Sequence, residues 1–128
     1  MNKTDELISL IRAWGLERNI TGVEAKASPA SQYRKLLEEV GELGEGLIKE
    51  DEPEVIDAIG DCTVVLILLC DLLGLRFDEC LDSAYNVIRH RKGKKVGGAF
   101  VREKDDDLDE PLGEKQADCD GEACESCT

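Results

Sequence analysis

The chain has few aromatic residues and no long apolar run. Aromatic residues make up 4% of its 128 residues, so few large rings are available for packing a core. The longest apolar stretch, Cys62 to Cys70, has nine residues, whereas a membrane-spanning helix needs about 20. No apolar signal segment precedes a small-residue cleavage site near the N-terminus. We therefore expect no membrane insertion and a cytoplasmic protein.

Basic charge is also scarce, since the net charge is −13. Residues 103–128 contain 11 acidic and two basic side chains and carry −9, whereas residues 1–102 carry −4. Extended binding to nucleic acid is disfavoured, because it needs a basic face that neutralises phosphates. We predict one domain over residues 1–102 and an acidic, disordered tail over residues 103–128.

The six cysteines form two groups. Those in predicted helices are interpreted as small core residues: Cys62, Cys70 and Cys80. Without a secretory signal we expect reduced thiols. The tail group could bind zinc, but three thiolates without a histidine make an incomplete site, so disorder is favoured there. This second group is Cys119, Cys124 and Cys127.

Apolar periodicity predicts an all-α fold, a helical bundle of about four helices. The predicted helices are residues 2–18, about Ala30–Lys49, about Pro53–Leu73 and about Phe77–Arg91. Ser28 or Ser31 is expected to cap the second helix, and Gly74 to end the third. Ala99–Val101 could form a short extended piece or a closing flap. Since Val64–Leu69 is apolar on every side of its helix, we expect a homo-oligomer that covers it and completes the bundle.

Two acidic stretches place carboxylates one helical turn apart. Glutamates on an exposed helix face are ordinary. In the third helix, however, the acidic residues directly precede the most apolar segment of the chain, and the helix contains no basic residue. Burying an unpaired carboxylate costs several kcal/mol, so a cation is expected; a hard ion such as Mg²⁺ fits, because it binds carboxylates together with phosphates. The acids are Glu38, Glu39 and Glu42, then Glu54, Asp57 and Asp61.

Several motifs together resemble MazG-like nucleotide pyrophosphohydrolases, above all the short, single-domain members common in bacteriophages. The resemblance covers about Leu10 to Lys104. It implies an all-α homodimer or homotetramer that hydrolyses nucleoside triphosphates, often deoxy forms, to the monophosphate and pyrophosphate with Mg²⁺ or the substitute Mn²⁺. A phage-encoded protein would act in the host cytoplasm. The motifs are Lys35–Leu43, Asp57–Asp61, Ala84–Lys94 and Gly98–Val101.

The family's metal-binding pattern is ExxE on one helix and ExxD on the next. Glu39 and Glu42 match the first half. The second half departs, because Ala58 stands three residues before Asp61, where the family has Glu. The resemblance therefore implies Asp57 and Asp61 as ligands, with Glu54 as a further candidate.

The remaining site residues are expected around this metal centre. Glu39 and the free carboxylate of Glu38 are the candidate catalytic residues. The water that attacks the α-phosphorus in line would be made more acidic by metal coordination or deprotonated by Glu38. Candidates for phosphate contacts are Lys35, Asn86, Arg89, Arg91, Lys92 and Lys94. Gln32 and Trp14 could contact the nucleobase, although core packing is the favoured interpretation of Trp14. No nucleophilic Ser, Cys or His is required; the single histidine, His90, should face solvent.

Two alternatives stay open. A non-catalytic helical oligomer could bind a nucleotide or protein partner without turnover, and the absence of Glu at position 58 favours it. A hydrolase of a guanosine alarmone would have the same fold. Assays with several substrates discriminate among the three.

Overall fold

The computed structural model of the chain describes residues 2–102, which form four helices and a β-hairpin. The predicted all-α fold is confirmed, since the two strands have four residues each and follow the four helices in the chain. The chain divides into two compact units, Met1–Ala84 and Tyr85–Thr128, which are described separately. The elements are α1 (Lys3–Glu17), α2 (Pro29–Lys49), α3 (Glu52–Leu73), α4 (Phe77–Ile88), β1 (Gly93–Val96) and β2 (Ala99–Arg102).

Local capping chemistry fixes the ends of α2 and α3. The Ser28 hydroxyl accepts from the Ser31 amide at 3.1 Å, and the Ser31 hydroxyl accepts from the Ser28 amide at 2.9 Å. This reciprocal capping box uses both serines named by the sequence, with Pro29 in the first turn. Asp51 caps α3 through its side chain, and Gly74 ends it in the left-handed region at φ 72°.

The core of the first unit lies along α3, which packs on α2 and α1. Two glycines allow the close approach. A Cβ at Gly15 of α1 would lie 2.5 Å from the buried Leu68 Cδ2, and one at Gly46 of α2 would lie 3.1 Å from Val55 Cγ2. The buried apolar side chains are Ala58, Val65, Ile67 and Leu68.

An ion pair adds a polar link between α1 and α3. Arg12 Nε donates to both carboxylate oxygens of Asp71, at 2.9 and 3.1 Å, and the Asp71 side chain is 15% exposed. A cavity of about 460 Å³ opens beside this pair, between α1, the end of α3 and the start of α4. The pair therefore ties α1 to the C-terminal part of α3.

The chain covers more of the predicted all-round apolar segment than expected. Val65, Ile67 and Leu68 are buried against the chain's own helices, while Leu66 stays 38% exposed. Apolar surface instead remains open on the outer face of α2 and in the first half of α3. The exposed side chains there are Leu37, Val40, Leu47, Ile56 and Ile59.

The fourth helix is shorter than predicted, ending at Ile88 and not at Arg91. The Arg91 amide donates to the Ile88 carbonyl at 3.0 Å, three residues back, so the helix closes in a tighter turn. Beyond it, β1 pairs with β2 through the positive-φ turn Gly97–Gly98, a two-residue turn that suits hairpins. The short extended piece expected at Ala99–Val101 is thereby confirmed as part of β2.

Two further expectations concern the cysteines and the tail. Cys62 and Cys70 are half-buried, but Cys80 is exposed, so the core interpretation of Cys80 is wrong. No residue of α4 is buried in the described chain. Cys80 is exposed because the whole of this helix lacks buried side chains. The disordered tail and its zinc alternative fall on residues 103–128, which lie outside the described residues.

Membrane-span criteria were met by no single helix of residues 2–102. The pair α3 and α4, which is bent at the break between the helices, meets them jointly on length and composition alone.

Candidate metal centre

Three of the predicted metal ligands meet where α2 packs on α3. Glu39 and Glu42 lie one turn apart on α2, and Asp61 projects from α3. One oxygen of each carboxylate lies within 4.8 Å of the corresponding oxygens of the other two. The helix spacing brings two of these groups together, and the packing of α2 on α3 adds the third.

Glu39 is the buried member of this carboxylate group. It is 5% exposed, although a glutamate on a surface helix is ordinarily solvated. Its Oε2 lies 3.2 Å from Lys35 Nζ, but its Oε1 is buried without a hydrogen-bond partner among residues 2–102. A buried anionic oxygen is costly unless it is paired. This atom therefore marks a place where a cation would be stabilised.

Burial and neighbouring negative charges raise the proton affinity of Glu42 and of Asp61. The negative charge of Glu39 is the main cause that raises the pKa of Glu42, with burial second. Burial is the main cause that raises the pKa of Asp61, followed by the charges of Asp57 and Glu39. The fully ionised cluster is thus strained by mutual repulsion, which a bound proton or a metal ion would relieve.

Lys35 is the counter-ion of this cluster. Its Nζ lies 3.2 Å from Glu39 and 3.5 Å from Glu38, and its hydrogen bond with Glu39 is the main cause that raises its own pKa. The Lys35 side chain is half-exposed, as is that of Glu38. One lysine offsets only part of the charge of three clustered carboxylates, so the cluster keeps a negative charge that would attract a further cation. The phosphate contact expected of Lys35 stays a prediction.

Glu54 and Asp57 flank the group without joining it. After burial, the charge of the exposed Asp57 is the next cause of the raised pKa of Asp61. Glu54 is half-buried and interacts electrostatically with Glu42. The Ala58 side chain is buried in the core. The structure therefore favours Asp61 over its two acidic neighbours on α3 as the third ligand of a compact site.

The two residues expected near a nucleobase lie in different places. Trp14 is 42% exposed on α1, with the Arg18 guanidinium 4.7 Å from its ring centroid. The core interpretation of Trp14 is therefore wrong, because its ring packs under a surface arginine. Gln32 is half-buried in the first turns of α2, one turn before Lys35. Their contact with a base stays a prediction.

The predicted phosphate contacts other than Lys35 belong to the second unit. Asn86 lies in the last turns of α4, and Lys94 lies in β1. Arg89, Arg91 and Lys92 are exposed, as is His90. The Arg89 guanidinium lies 5.8 Å from the Tyr85 ring centroid. These basic groups are thus accessible to an anion, and their role toward phosphate stays a prediction.

Two features of the site were missed from the sequence. The burial of Glu39 depends on how α2 packs on α3, which helix periodicity alone does not determine. The Lys35–Glu39 pair, by contrast, follows from i, i+4 spacing and was accessible to sequence reasoning.

The stability of the metal-free protein should fall as pH rises through the titration of Glu42 and Asp61. Their pKa values are raised in the folded chain above the ordinary 4.5 and 3.8, so folding favours their protonated forms. The stabilisation is full below those ordinary values and is lost as pH rises through the raised ones. Urea unfolding in chelator should show that Glu42→Gln gains stability over wild type as pH rises.

The control for this titration is Glu45→Gln, which removes an exposed carboxylate of α2 outside the group. Its unfolding free energy should run parallel to that of the wild type across the same pH range. A Glu42→Gln profile that is also parallel would contradict the electrostatic account of the cluster.

Comparison with known proteins identifies the class. The model of the MazG nucleotide pyrophosphohydrolase domain matches residues 27–96, more than half of the chain. The chain therefore belongs to this family, as the resemblance implied, and the matched span contains the whole carboxylate group.

A phage protein is among its relatives. The uncharacterized 18.2 kDa protein in the rep-hol intergenic region of Haemophilus phage HP1 (strain HP1c1) is 41% identical over 70 residues. The aligned residues are 54% of this chain and 40% of that relative, so the chain matches well under half of the relative's length. No solved structure matches the chain.

Proposed function

We propose that the chain hydrolyses nucleoside triphosphates, preferably deoxynucleoside triphosphates, to the monophosphate and pyrophosphate with Mg²⁺. The observation that carries the proposal is the buried, unpartnered Oε1 of Glu39, which belongs to a group with Glu42 and Asp61. Membership of the MazG family supports the reaction class. An acidic cluster on a solvated helix face would have no buried anionic oxygen in need of a cation.

The donor set fits a hard divalent cation. All three groups offer carboxylate oxygen, the ligand type that Mg²⁺ prefers, and none offers sulfur or imidazole nitrogen. Glu39, Glu42 and Asp61 would hold the ion, with Asp57 and Glu54 as neighbours. When bound, Mg²⁺ supplies positive charge that neutralises phosphate oxygens and makes water more acidic.

The chain's own residues orient the metal ligand, accept the proton of the attacking water and bind the substrate. Lys35 holds the Glu39 carboxylate from one side, which orients the buried ligand. Glu38, exposed one residue earlier and 3.5 Å from the same lysine, takes the proton of the water that attacks the α-phosphorus. The proposed role of the basic residues after α4 is to offset the charge of the departing pyrophosphate; they are Arg89, Arg91, Lys92 and Lys94. Asn86 contacts the phosphates, and Gln32 and Trp14 contact the base.

A substrate panel tests the reaction. The full chain should release pyrophosphate from deoxynucleoside triphosphates in Mg²⁺ or Mn²⁺ and should lose this activity in chelator. The panel should include ribonucleoside triphosphates and a guanosine tetraphosphate alarmone, which separate the substrate classes. Nucleotide binding without turnover of any substrate, in either metal, would contradict the proposal and favour a binding protein.

We also propose that the chain assembles as a homodimer or homotetramer. Leu37, Val40 and Leu47 line the outer face of α2, and Ile56 and Ile59 extend apolar surface onto α3. A stripe at helical spacing on each of two packed helices offers a continuous surface for a second copy. In the full assembly these side chains would be buried.

Light scattering after size-exclusion chromatography checks the assembly. The wild-type mass should be two or four times 14.1 kDa, and Leu37→Glu should shift it to the monomer, because a charge would be buried in the interface. The matched control is Val23→Glu, at a fully exposed side chain in the loop between α1 and α2, which should leave the mass unchanged. A monomeric wild type would contradict the proposal.

A further inference from the structure

We propose that Cys70 and Cys80 form a reversible disulfide that joins α3 to α4. Their Sγ atoms lie 3.9 Å apart. Cys70 is half-buried near the end of α3, and Cys80 is exposed in the first turn of α4. Both cysteines belong to the first unit, Met1–Ala84. Two thiols in contact, one of them open to solvent, make a site where a small oxidant can act.

The backbone holds the two cysteines on either side of one short turn. Three residues connect α3 to α4, beginning with Gly74 in the left-handed conformation. The Leu75 amide donates to the Cys70 carbonyl at 2.8 Å, and the Cys80 amide donates to the Arg76 carbonyl at 3.1 Å. The sulfurs must approach to about 2.05 Å for a disulfide. Rotation of the exposed Cys80 side chain can supply this approach.

The chemistry is thiol–disulfide exchange with a small-molecule disulfide as oxidant. Cys80, as the thiolate, attacks one sulfur of the oxidant, forms a mixed disulfide and releases the first small thiol. Cys70 then loses its proton and attacks Cys80 Sγ as the thiolate, and the second small thiol leaves as a thiolate that takes up a proton. Two protein S–H bonds and one oxidant S–S bond become one protein S–S bond and two small-molecule S–H bonds. Two electrons pass from the cysteines to the oxidant.

The environments of the two thiols set this order of attack. Burial, followed by the hydrogen bond with Cys80, raises the pKa of Cys70 to about 11. Cys70 therefore stays protonated while the accessible Cys80 reacts with the oxidant first. Because the first turn of α4 also carries Asp78 and Glu79, a neutral disulfide is the appropriate oxidant for a test.

The experiment maps disulfides in the oxidised full chain. The reduced, metal-free protein is treated with bis(2-hydroxyethyl) disulfide, alkylated and digested with trypsin without reductant. Cleavage after Lys49, Arg76 and Arg89 places Cys70 in peptide 50–76 and Cys80 in peptide 77–89. The expected product is these two peptides linked, at about tenfold or more over any other linked pair, because the thiols are already in contact. Reductant should reverse it.

Three variants assign the link. Peptide 50–76 also contains Cys62, which lies eight residues before Cys70, about 12 Å along α3. Cys62→Ser should retain the linked peptides, whereas Cys70→Ala and Cys80→Ala should abolish them. Since Cys80 is exposed, Cys80→Ala tests the link even if Cys70→Ala fails to fold. A link that survives either alanine variant, or Cys80 found only as a mixed disulfide, bound to peptide 116–128 or bound to a second copy, would overturn the proposal.

Discussion

Replacing Glu39 by glutamine is expected to lower Mg²⁺-dependent pyrophosphate release by about 10²- to 10³-fold. The amide keeps the size of the side chain but removes the negative charge of the buried member of the carboxylate group. Its Oε1 has no other partner in the described chain, so no neighbouring donor would compensate. Pyrophosphate release from a deoxynucleoside triphosphate at saturating Mg²⁺ measures the effect.

A thermal-unfolding control separates lost metal binding from lost folding. In chelator, Glu39→Gln should melt at or above the wild-type temperature, because the substitution relieves the repulsion that raises the pKa of Glu42. The stabilisation that Mg²⁺ gives the wild type should be absent from the variant. Glu45→Gln, an exposed change on the same helix, should behave as wild type in both assays. Wild-type pyrophosphate release by Glu39→Gln would contradict the site assignment.

Truncating Ile67 to alanine is expected to cost about 2–5 kcal/mol of unfolding free energy. Ile67 is 1% exposed and is the largest fully buried side chain of the chain as described. Because α3 contributes the four buried apolar side chains, a cavity there removes contacts from the centre of the packed helices. Urea unfolding, compared with wild type at equal protein concentration, measures the loss.

The control truncation is Val23→Ala, at a side chain that is fully exposed in the loop before α2. Its unfolding free energy should stay within about 0.5 kcal/mol of wild type. Equal losses for Ile67→Ala and Val23→Ala would contradict the description of α3 as the core helix.

The helices were predictable because their signals are local. The Ser28–Ser31 capping box, Pro29 and Gly74 act within one turn of the helix ends that they fix. The third helix was predicted from its nine-residue apolar stretch, Cys62 to Cys70. The end of α4 was not predicted correctly, because the basic residues after Ile88 are compatible with a helix. The helix ends at the turn closed by the Arg91–Ile88 hydrogen bond, and the hairpin follows.

The site was predictable in part for the same reason. Glu39 and Glu42 lie one turn apart in any helix, so their pairing follows from spacing. The choice between Asp57 and Asp61 depends on the rotation of α3 against α2, which is set by close packing such as that of Gly46 on Val55. Sequence spacing does not determine that rotation, and the sequence therefore predicted Asp57 and Asp61 together as ligands, with Glu54 as a further candidate.

Exposure was the hardest property to predict. Trp14 and Cys80 both lie at positions where an apolar or small residue suggested a core, yet both are exposed in the chain as described. Burial depends on which helix faces have a partner, and α4 contributes no buried residue. The apolar faces of α2 and α3 are likewise exposed because no other element of the described chain packs on them. They are the basis of the proposed homo-oligomer.

The most direct test of the proposed reaction follows the oxygen atom of the attacking water. The full chain is incubated with one deoxynucleoside triphosphate and Mg²⁺ in ¹⁸O-labelled water, and both products are examined by mass spectrometry. Attack at the α-phosphorus predicts one ¹⁸O atom in the nucleoside monophosphate and none in the pyrophosphate. Label in the pyrophosphate, release of the nucleoside diphosphate and inorganic phosphate, or no Mg²⁺-dependent turnover would contradict the account.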